Sequence, residues 1–540
     1  MSIKDVATTP FDDQKPGTAG LRKPVSRFQT PHYLENFVQA VFDSVPSLKG
    51  GRLVVGGDGR YFNDQAADTI LRMAAANGVE QVIIGCQALL STPAAAHLIA
   101  QESAAGGFLL TASHNPGGPD GDFGIKFNIA GGGQAPAELT DRIHTRSREI
   151  RQYHISDQTC PGFAEIGESR LEDMMIRVVD PVAEHVNLMA RCFDFDAIRD
   201  WLHNKPRRFV FDAMHAVTGP YAREIFVHQL GLSEDVVRNG QPKPDFNGSH
   251  PDPNPHDAHA FLEAFQALPE GEIGAASDGD GDRNMILGRQ NGRALVVSPC
   301  DSLAVIAANH HCIPALADGL KGVARSMPTS RALDRVAQEL GIPCHETPTG
   351  WRFFASLLDG GYIRLCGEES FGTSSDHVRE KDGLWAVLAW LQILASRDMT
   401  VAELLDEHWS RFGRDYFARH DFNLSIEQGQ AVMERLSTLV EAGEYRDCPV
   451  DRFDYTDPVS GHRVEAQGYR LFTDNGRAVF RLSGTGTRGA TLRIYLEQHM
   501  PAQEDCRQDM VTVLEPMRAL ASEAAQLEAL TGKPRADQVI

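Results

Sequence analysis

At 540 residues the chain exceeds the roughly 250–300 at which one hydrophobic core stops growing, so about three or four domains are expected and a single domain is excluded. Its 42% hydrophobic and 23% charged residues are those of a soluble globular protein, and a formal net charge of −21 argues against a broad nucleic-acid footprint and against binding to anionic membranes. The nine cysteines are scattered, with no C-x-x-C pair or zinc-spaced Cys/His cluster, which fits a reduced, cytoplasmic setting; Met1–Val6 carries no apolar signal core, and no apolar stretch nears the ~20 residues that cross a bilayer.

Along the chain, short apolar runs end in glycine-rich loops and lead into helical patterns. Leu53-Val54-Val55 precedes Gly56-Gly57-Asp58-Gly59, and Phe108-Leu109-Leu110 precedes the segment 111–118. Similar beginnings recur at Arg208–Asp212 and Ile363–Cys366, predicting three α/β units of comparable size with faint mutual similarity. The C-terminal part differs: Tyr469–Thr473 and Ala478–Leu482 flank Asn475-Gly476, a hairpin signal in which both turn positions take positive φ. This predicts an antiparallel α+β domain, closed by a helix in 504–530 and a polar tail ending at Ile540.

Four loops carry chemistry. In Thr111-Ala112-Ser113-His114-Asn115-Pro116-Gly117-Gly118, Ser113 stands where a strand ends and free amides face a phosphate, a good place for a nucleophile. The G-x-S-x-G of a serine hydrolase is absent, since Thr111 and Asn115 fill the glycine positions, and a lone S-H-N-P would otherwise read as a polar turn. In Asp278-Gly279-Asp280-Gly281-Asp282-Arg283, carboxylates alternate with glycines that let the backbone curl round a hard cation. Arg283 and Arg289 occupy the required EF-hand glycine and glutamate positions, which leaves Mg²⁺ as the leading cation, with coordination positions open for phosphate.

The third loop, Cys366–Gly372, sets Glu368, Glu369 and Ser370 after a strand, suited to vicinal sugar hydroxyls, although Glu-Glu pairs are more often solvated surface. The fourth, Gly484-Thr485-Gly486-Thr487-Arg488-Gly489, matches G-x-G-x-x-G, but the following Ala490–Leu496 alternates like a strand, so it reads as a phosphate cradle rather than a dinucleotide loop. Ser483 and Thr485 supply hydroxyls there, and Arg481 and Arg493 flank the turn as donors.

Together, in this order, the four loops resemble the α-D-phosphohexomutase superfamily. Segments 111–118, 124–128, 368–372 and 377–385 resemble its glucose-specific phosphoglucomutase branch, and Gly17–Arg22, Pro348–Trp351 and Asp278–Asn284 agree. The resemblance implies three similar α/β domains with mixed sheets and a C-terminal antiparallel α+β domain around a central cleft, placed at 1–188, 189–300, 301–407 and 408–540. It implies a phosphoserine at Ser113, and Mg²⁺ bound by Asp278, Asp280 and Asp282 together with that phosphate. Arg22, His114, Lys126 and Arg283 match transfer-site positions; Thr349, Gly350, Arg352, Glu368, Ser370 and Lys381 match sugar-phosphate contacts; Arg481, Ser483, Thr485 and Arg493 match the distal phosphate loop.

The implied reaction interconverts glucose 1-phosphate and glucose 6-phosphate through enzyme-bound glucose 1,6-bisphosphate, with small hexose phosphates as the only partners. Lys126 is the expected base, because lysine loses its proton readily among cations and on burial; His114 is the rival. The alternatives are a branch acting on mannose or glucosamine phosphate and a catalytically silent binding relative. Arg352, Arg331 and Arg488 depart from the pattern, and Arg352 cannot shuttle a proton.

Overall fold

The computed structural model describes residues 3–17, 20–204, 209–268, 272–486 and 489–540, the side chains of 484–486 excepted. Thr18, Ala19, Arg208, Thr487 and Arg488 therefore lie outside the described residues, as does the Thr485 side chain.

Three α/β units share one plan. In the first, Arg52–Gly57 runs parallel to Gln81–Leu89 and Gly106–Leu110, and Gly106–Leu110 then pairs antiparallel with Asp122–Ile129. In the second, Phe209–Asp212 is parallel to Ile273–Ser277, which pairs antiparallel with Asn284–Gln290. In the third, Val323–Ser326 is parallel to Leu365–Glu368, which pairs antiparallel with Gly372–Ser375. The Ser113 loop, the aspartate loop and the Glu-Glu-Ser loop are thus the same connection, from a parallel strand into its antiparallel neighbour, in three successive units.

Helices on both faces explain why these strands read as continuous apolar runs. Leu53 and Val55 join the core formed with helices Tyr33–Ser44 and Asn63–Ala76, whereas Val54 points to the opposite core with helix Thr92–Gln101. Successive side chains of a strand point to opposite faces, so each residue of the run finds a different apolar partner.

The C-terminal domain is a seven-stranded sheet whose paired strands are all antiparallel, with helices Ile426–Ala442 and Met510–Ala524 contributing to its main core. Residues 490–496 lie inside strand Gly489–Met500, as the alternation requires and as a Rossmann loop does not allow. The expected hairpin forms one residue early. Thr473 N–H donates to Gly476 O across Asp474-Asn475, and neither Asn475 nor Gly476 has positive φ, so the turn is not the predicted type. The expected terminal helix breaks at Gln526 in the left-handed region, and the polar tail ends as an edge strand, Gln538–Val539, beside Arg414–Leu424.

The other face of this sheet meets the third α/β unit through buried charge. Glu346 accepts from Arg325, Arg477 and Arg470, and Glu497 accepts from Arg477 and Arg331, which gives the unexplained Arg331 a partner across the junction. Burial by itself would raise the Glu346 carboxyl, but the three guanidiniums bring it down from 4.5 to about 2. A carboxyl depressed on folding contributes stability that is complete above its unfolded value and is lost as pH falls through the folded one. Glu346→Gln is expected to cost about 3 kcal/mol at pH 7. It should also remove that part of acid unfolding which falls between pH 4.5 and about 2. Superimposable acid-unfolding curves for wild type and variant, followed by circular dichroism, would refute this.

Candidate functional site

Ser113 is 3% exposed and sits at φ +54°, in the left-handed region. Its N–H donates to Thr111 Oγ1 at 2.7 Å, its hydroxyl donates to Asp278 Oδ2 at 3.1 Å, and His114 Nδ1 lies 3.3 Å from the same oxygen. Burial, then the guanidiniums of Arg283 and Arg22, hold the His114 imidazole well below its ordinary pKa.

The aspartate loop presses against this serine. A Cβ on Gly279 would lie 2.4 Å from Ser113 O, so only glycine permits the approach, and Gly281 turns at φ +78° with Thr218 where a side chain would go. The curl lets the Asp282 and Arg283 amides donate to Asp278 Oδ1 at 2.9 and 3.0 Å. Asp280 is anchored from another domain, its Oδ2 accepting from Thr92 Oγ1 at 2.7 Å.

The three aspartates are buried and offer oxygens all within 4.8 Å of one another. Asp280 Oδ1 and Asp282 Oδ1 are buried without a hydrogen-bond partner. Burial, then repulsion from Asp282 and Asp280, raises the Asp278 carboxyl well above its ordinary value. Burial would raise Asp280 too, but Lys126, the Thr92 hydroxyl and Lys381 bring it down to about 2. Crowded oxygen donors with orphaned acceptors are what a hard divalent cation satisfies, so the residues present fit one.

Around them opens a cleft of about 380 Å³ in which all four domains take part. Of the expected residues it gathers Arg22, Ser113, His114, Lys126, Asp282 and Arg283 from the first two domains. Thr349, Gly350, Glu368, Ser370 and Lys381 come from the third, and Arg493 from the C-terminal domain. Glu368 accepts from Gly350 N–H at 3.2 Å, and the Thr349 hydroxyl is buried without a partner. Lys381 pairs with Asp282 at 3.0 Å. Burial would lower its ammonium, but Asp282, Glu368 and Glu380 raise it above lysine's usual value.

Three expected contacts are not brought to the cleft wall. Arg481 donates to Gln467 O and Ser483 to Thr491 O, both at 3.3 Å, so each is spent within its own domain. Arg352 lies over the Phe353 ring and lines a separate cavity of about 220 Å³ with Glu138 and His462.

Lys126 is present but differently surrounded: its ammonium meets Glu380 Oε1 at 3.2 Å in a buried pair, where the sequence argument assumed cations. Glu380 also accepts from Asn128 at 3.0 Å and Gln134 at 2.9 Å, so a residue of the third unit fixes part of the first across the cleft. Glu380 was missed although it stands inside the quoted segment 377–385. Asp252, which accepts from Arg283 at 3.1 Å, and Arg419, which lines the cleft from the C-terminal domain, had no sequence signal at all.

Comparison with known proteins covers the whole chain. The three families described as "Phosphoglucomutase/phosphomannomutase, alpha/beta/alpha domain" I, II and III match residues 13–154, 183–292 and 299–412, and "Phosphoglucomutase-1, C-terminal domain" matches 414–537. "Phosphoglucomutase 1, chloroplastic" of Marchantia polymorpha is 47% identical over 99% of this chain and 84% of its own length. "Phosphoglucomutase" of Rhizobium radiobacter is 46% identical over 97% of this chain and 99% of its own. Among solved structures, the open form of the exocytosis-sensitive phosphoprotein pp63/parafusin, a phosphoglucomutase from Paramecium, aligns with TM-score 0.92 at 44% identity, covering 100% of this chain and 99% of that one.

Proposed function

The chain belongs to the phosphoglucomutase/phosphomannomutase family, and from that premise we propose that it is a phosphoglucomutase, interconverting α-D-glucose 1-phosphate and glucose 6-phosphate through a phosphoserine at Ser113. One observation carries the mechanism: Ser113 Oγ stands 3.1 Å from Asp278, within an aspartate cluster, and Ser113 lines a cleft that Arg419 and Arg493 of the C-terminal domain line as well. One phosphate is transferred at the serine while arginines hold the other.

The phosphoryl group passes from Ser113 Oγ to the free 6-hydroxyl of glucose 1-phosphate: the P–Oγ bond breaks, a P–O6 bond forms, and the proton lost by the 6-hydroxyl is balanced by one gained at Ser113 Oγ. The resulting glucose 1,6-bisphosphate turns round, its 1-phosphate returns to Ser113, and glucose 6-phosphate departs. Asp278, Asp280 and Asp282 would hold Mg²⁺ with the Ser113 phosphate, and the cation would supply positive charge against the transferring group. Arg22 and Arg283 add fixed cations that cannot lose a proton. Lys126 lines the same cleft, paired with the Glu380 carboxylate. His114, 3.3 Å from the serine oxygen, is the group placed to exchange a proton there. Glu368 and Ser370 bind the sugar hydroxyls, and Lys381 and Thr349 line the cleft as well.

The nine cysteines are all free, which supports a reduced compartment, and we place the enzyme in the cytoplasm. The relatives include both chloroplastic and cytoplasmic proteins, and among the described residues no helix is long and apolar enough to cross a membrane.

The test is a coupled assay following glucose 6-phosphate formed from glucose 1-phosphate. Mannose 1-phosphate presents its 2-hydroxyl axially and leaves a polar group of the Glu368–Ser370 loop unpaired, so its kcat/KM should be lower by on the order of 10²-fold or more. Comparable values for the two sugars would reject glucose selectivity.

A further inference from the structure

A serine at φ +54° is in a conformation that L-residues rarely adopt and that persists only where its surroundings over-determine it. Here the surroundings are a buried ion pair in which neither side chain has any exposure, Asp58 with Arg60. Arg60 donates from Nε to both Asp58 oxygens, from one terminal nitrogen to Asn115 O and Asp122 O, and from the other to Ser113 O at 2.6 Å. Asp58 accepts the Thr111 hydroxyl at 2.5 Å, and that hydroxyl accepts the Ser113 N–H. The pair therefore grips the serine peptide from both sides, its carbonyl directly and its N–H through Thr111. The guanidinium is itself sandwiched over the Phe246 ring, 5.2 Å from its centre.

We infer that Arg60 is a positioning residue for phosphoryl transfer, fixing the Ser113 backbone so that Oγ stays aligned with the aspartate cluster; the inference rests on the mutase reading above. Only a planar fork satisfies carbonyls in three directions at once. Lysine keeps the charge but presents a single point donor on a flexible stem. In-line transfer depends on the reacting oxygen to within a fraction of an ångström, and a misplacement of about 1 Å costs on the order of 10²-fold.

The experiment compares wild type with R60K in steady-state mutase kinetics and in single-turnover transfer from ³²P-labelled enzyme, with the folded fraction measured by circular dichroism. The expected result is a kcat lower by about 10²-fold or more, a KM within about threefold, and transfer from Ser113 slowed to match. A kcat within about threefold of wild type overturns the inference. So does a loss of activity that merely follows the folded fraction, since a purely structural brace leaves folded molecules turning over normally. Should R60K fail to fold, T111V carries the test, because it removes only the hydroxyl linking Asp58 to the Ser113 N–H. About tenfold lower kcat at unchanged KM is expected, and wild-type kcat overturns the inference. Wild-type enzyme without mutase turnover would instead refute the proposed function.

Discussion

Ser113→Ala is expected to fold and bind hexose phosphates yet turn over slower by about 10⁴-fold or more, because the proposed reaction routes the phosphoryl group through that one oxygen. The hydroxyl lies at the convergence of Asp278 and His114, and no other hydroxyl among the described residues is bonded to the aspartate cluster at the cleft floor; that of Thr92 holds Asp280 from behind. Wild-type protein should carry about one phosphate by intact mass, be activated by traces of glucose 1,6-bisphosphate when isolated unphosphorylated, and lose label when given glucose 6-phosphate. His114 is the neighbouring nucleophile that this assignment has to beat. Phosphoserine survives acid and phosphohistidine does not, so acid-labile label mapped to His114, with S113A still active, would overturn the serine assignment.

Asp280→Asn should lower turnover by about 10³-fold, and excess chelator should do the same to wild type, reversibly with Mg²⁺. Stability separates a metal site from a structural cluster. The cations around Asp280 outweigh the crowding and bring its carboxyl down to about 2, so its charge stabilises the metal-free fold and the metal-free variant should melt lower than metal-free wild type while remaining folded. Mg²⁺ should then raise the melting temperature of wild type, by mass action on the folded state, and leave that of the variant almost unmoved. Full activity in chelator, or an equal Mg²⁺ shift in both proteins, would remove the metal from the mechanism.

What was legible in the sequence was whatever a local stretch fixes by itself. Strand, turn and acid–glycine alternation are short-range properties, so the Ser113 elbow, the Asp278–Asp282 curl and the strand after the C-terminal glycine loop were found where they were read. The hairpin at 473–476 erred by one residue because its register is set by the whole Tyr469–Gly486 pairing rather than by the Asn-Gly pair.

The residues that were missed or misjudged share a different cause. Arg60 reads as a surface arginine after a glycine-rich turn, and Glu380 as one charge in a polar run. Each is defined by partners far along the chain, Ser113 for the first and Lys126 for the second. The same long-range pairing sets the surroundings of Lys126, whose ammonium meets the Glu380 carboxylate across the cleft.

By itself, then, the sequence determined the fold class and singled out the Ser113 and Asp278–Asp282 loops as candidates, because apolar periodicity and loop chemistry are written in consecutive residues. Only the tertiary structure decided which charges neutralise which, how the serine is held at positive φ, and that three loops from three successive units occupy one topological position. Electrostatic partners and backbone strain depend on distances of about 3 Å between residues separated by tens to hundreds of positions, and no local pattern encodes those distances.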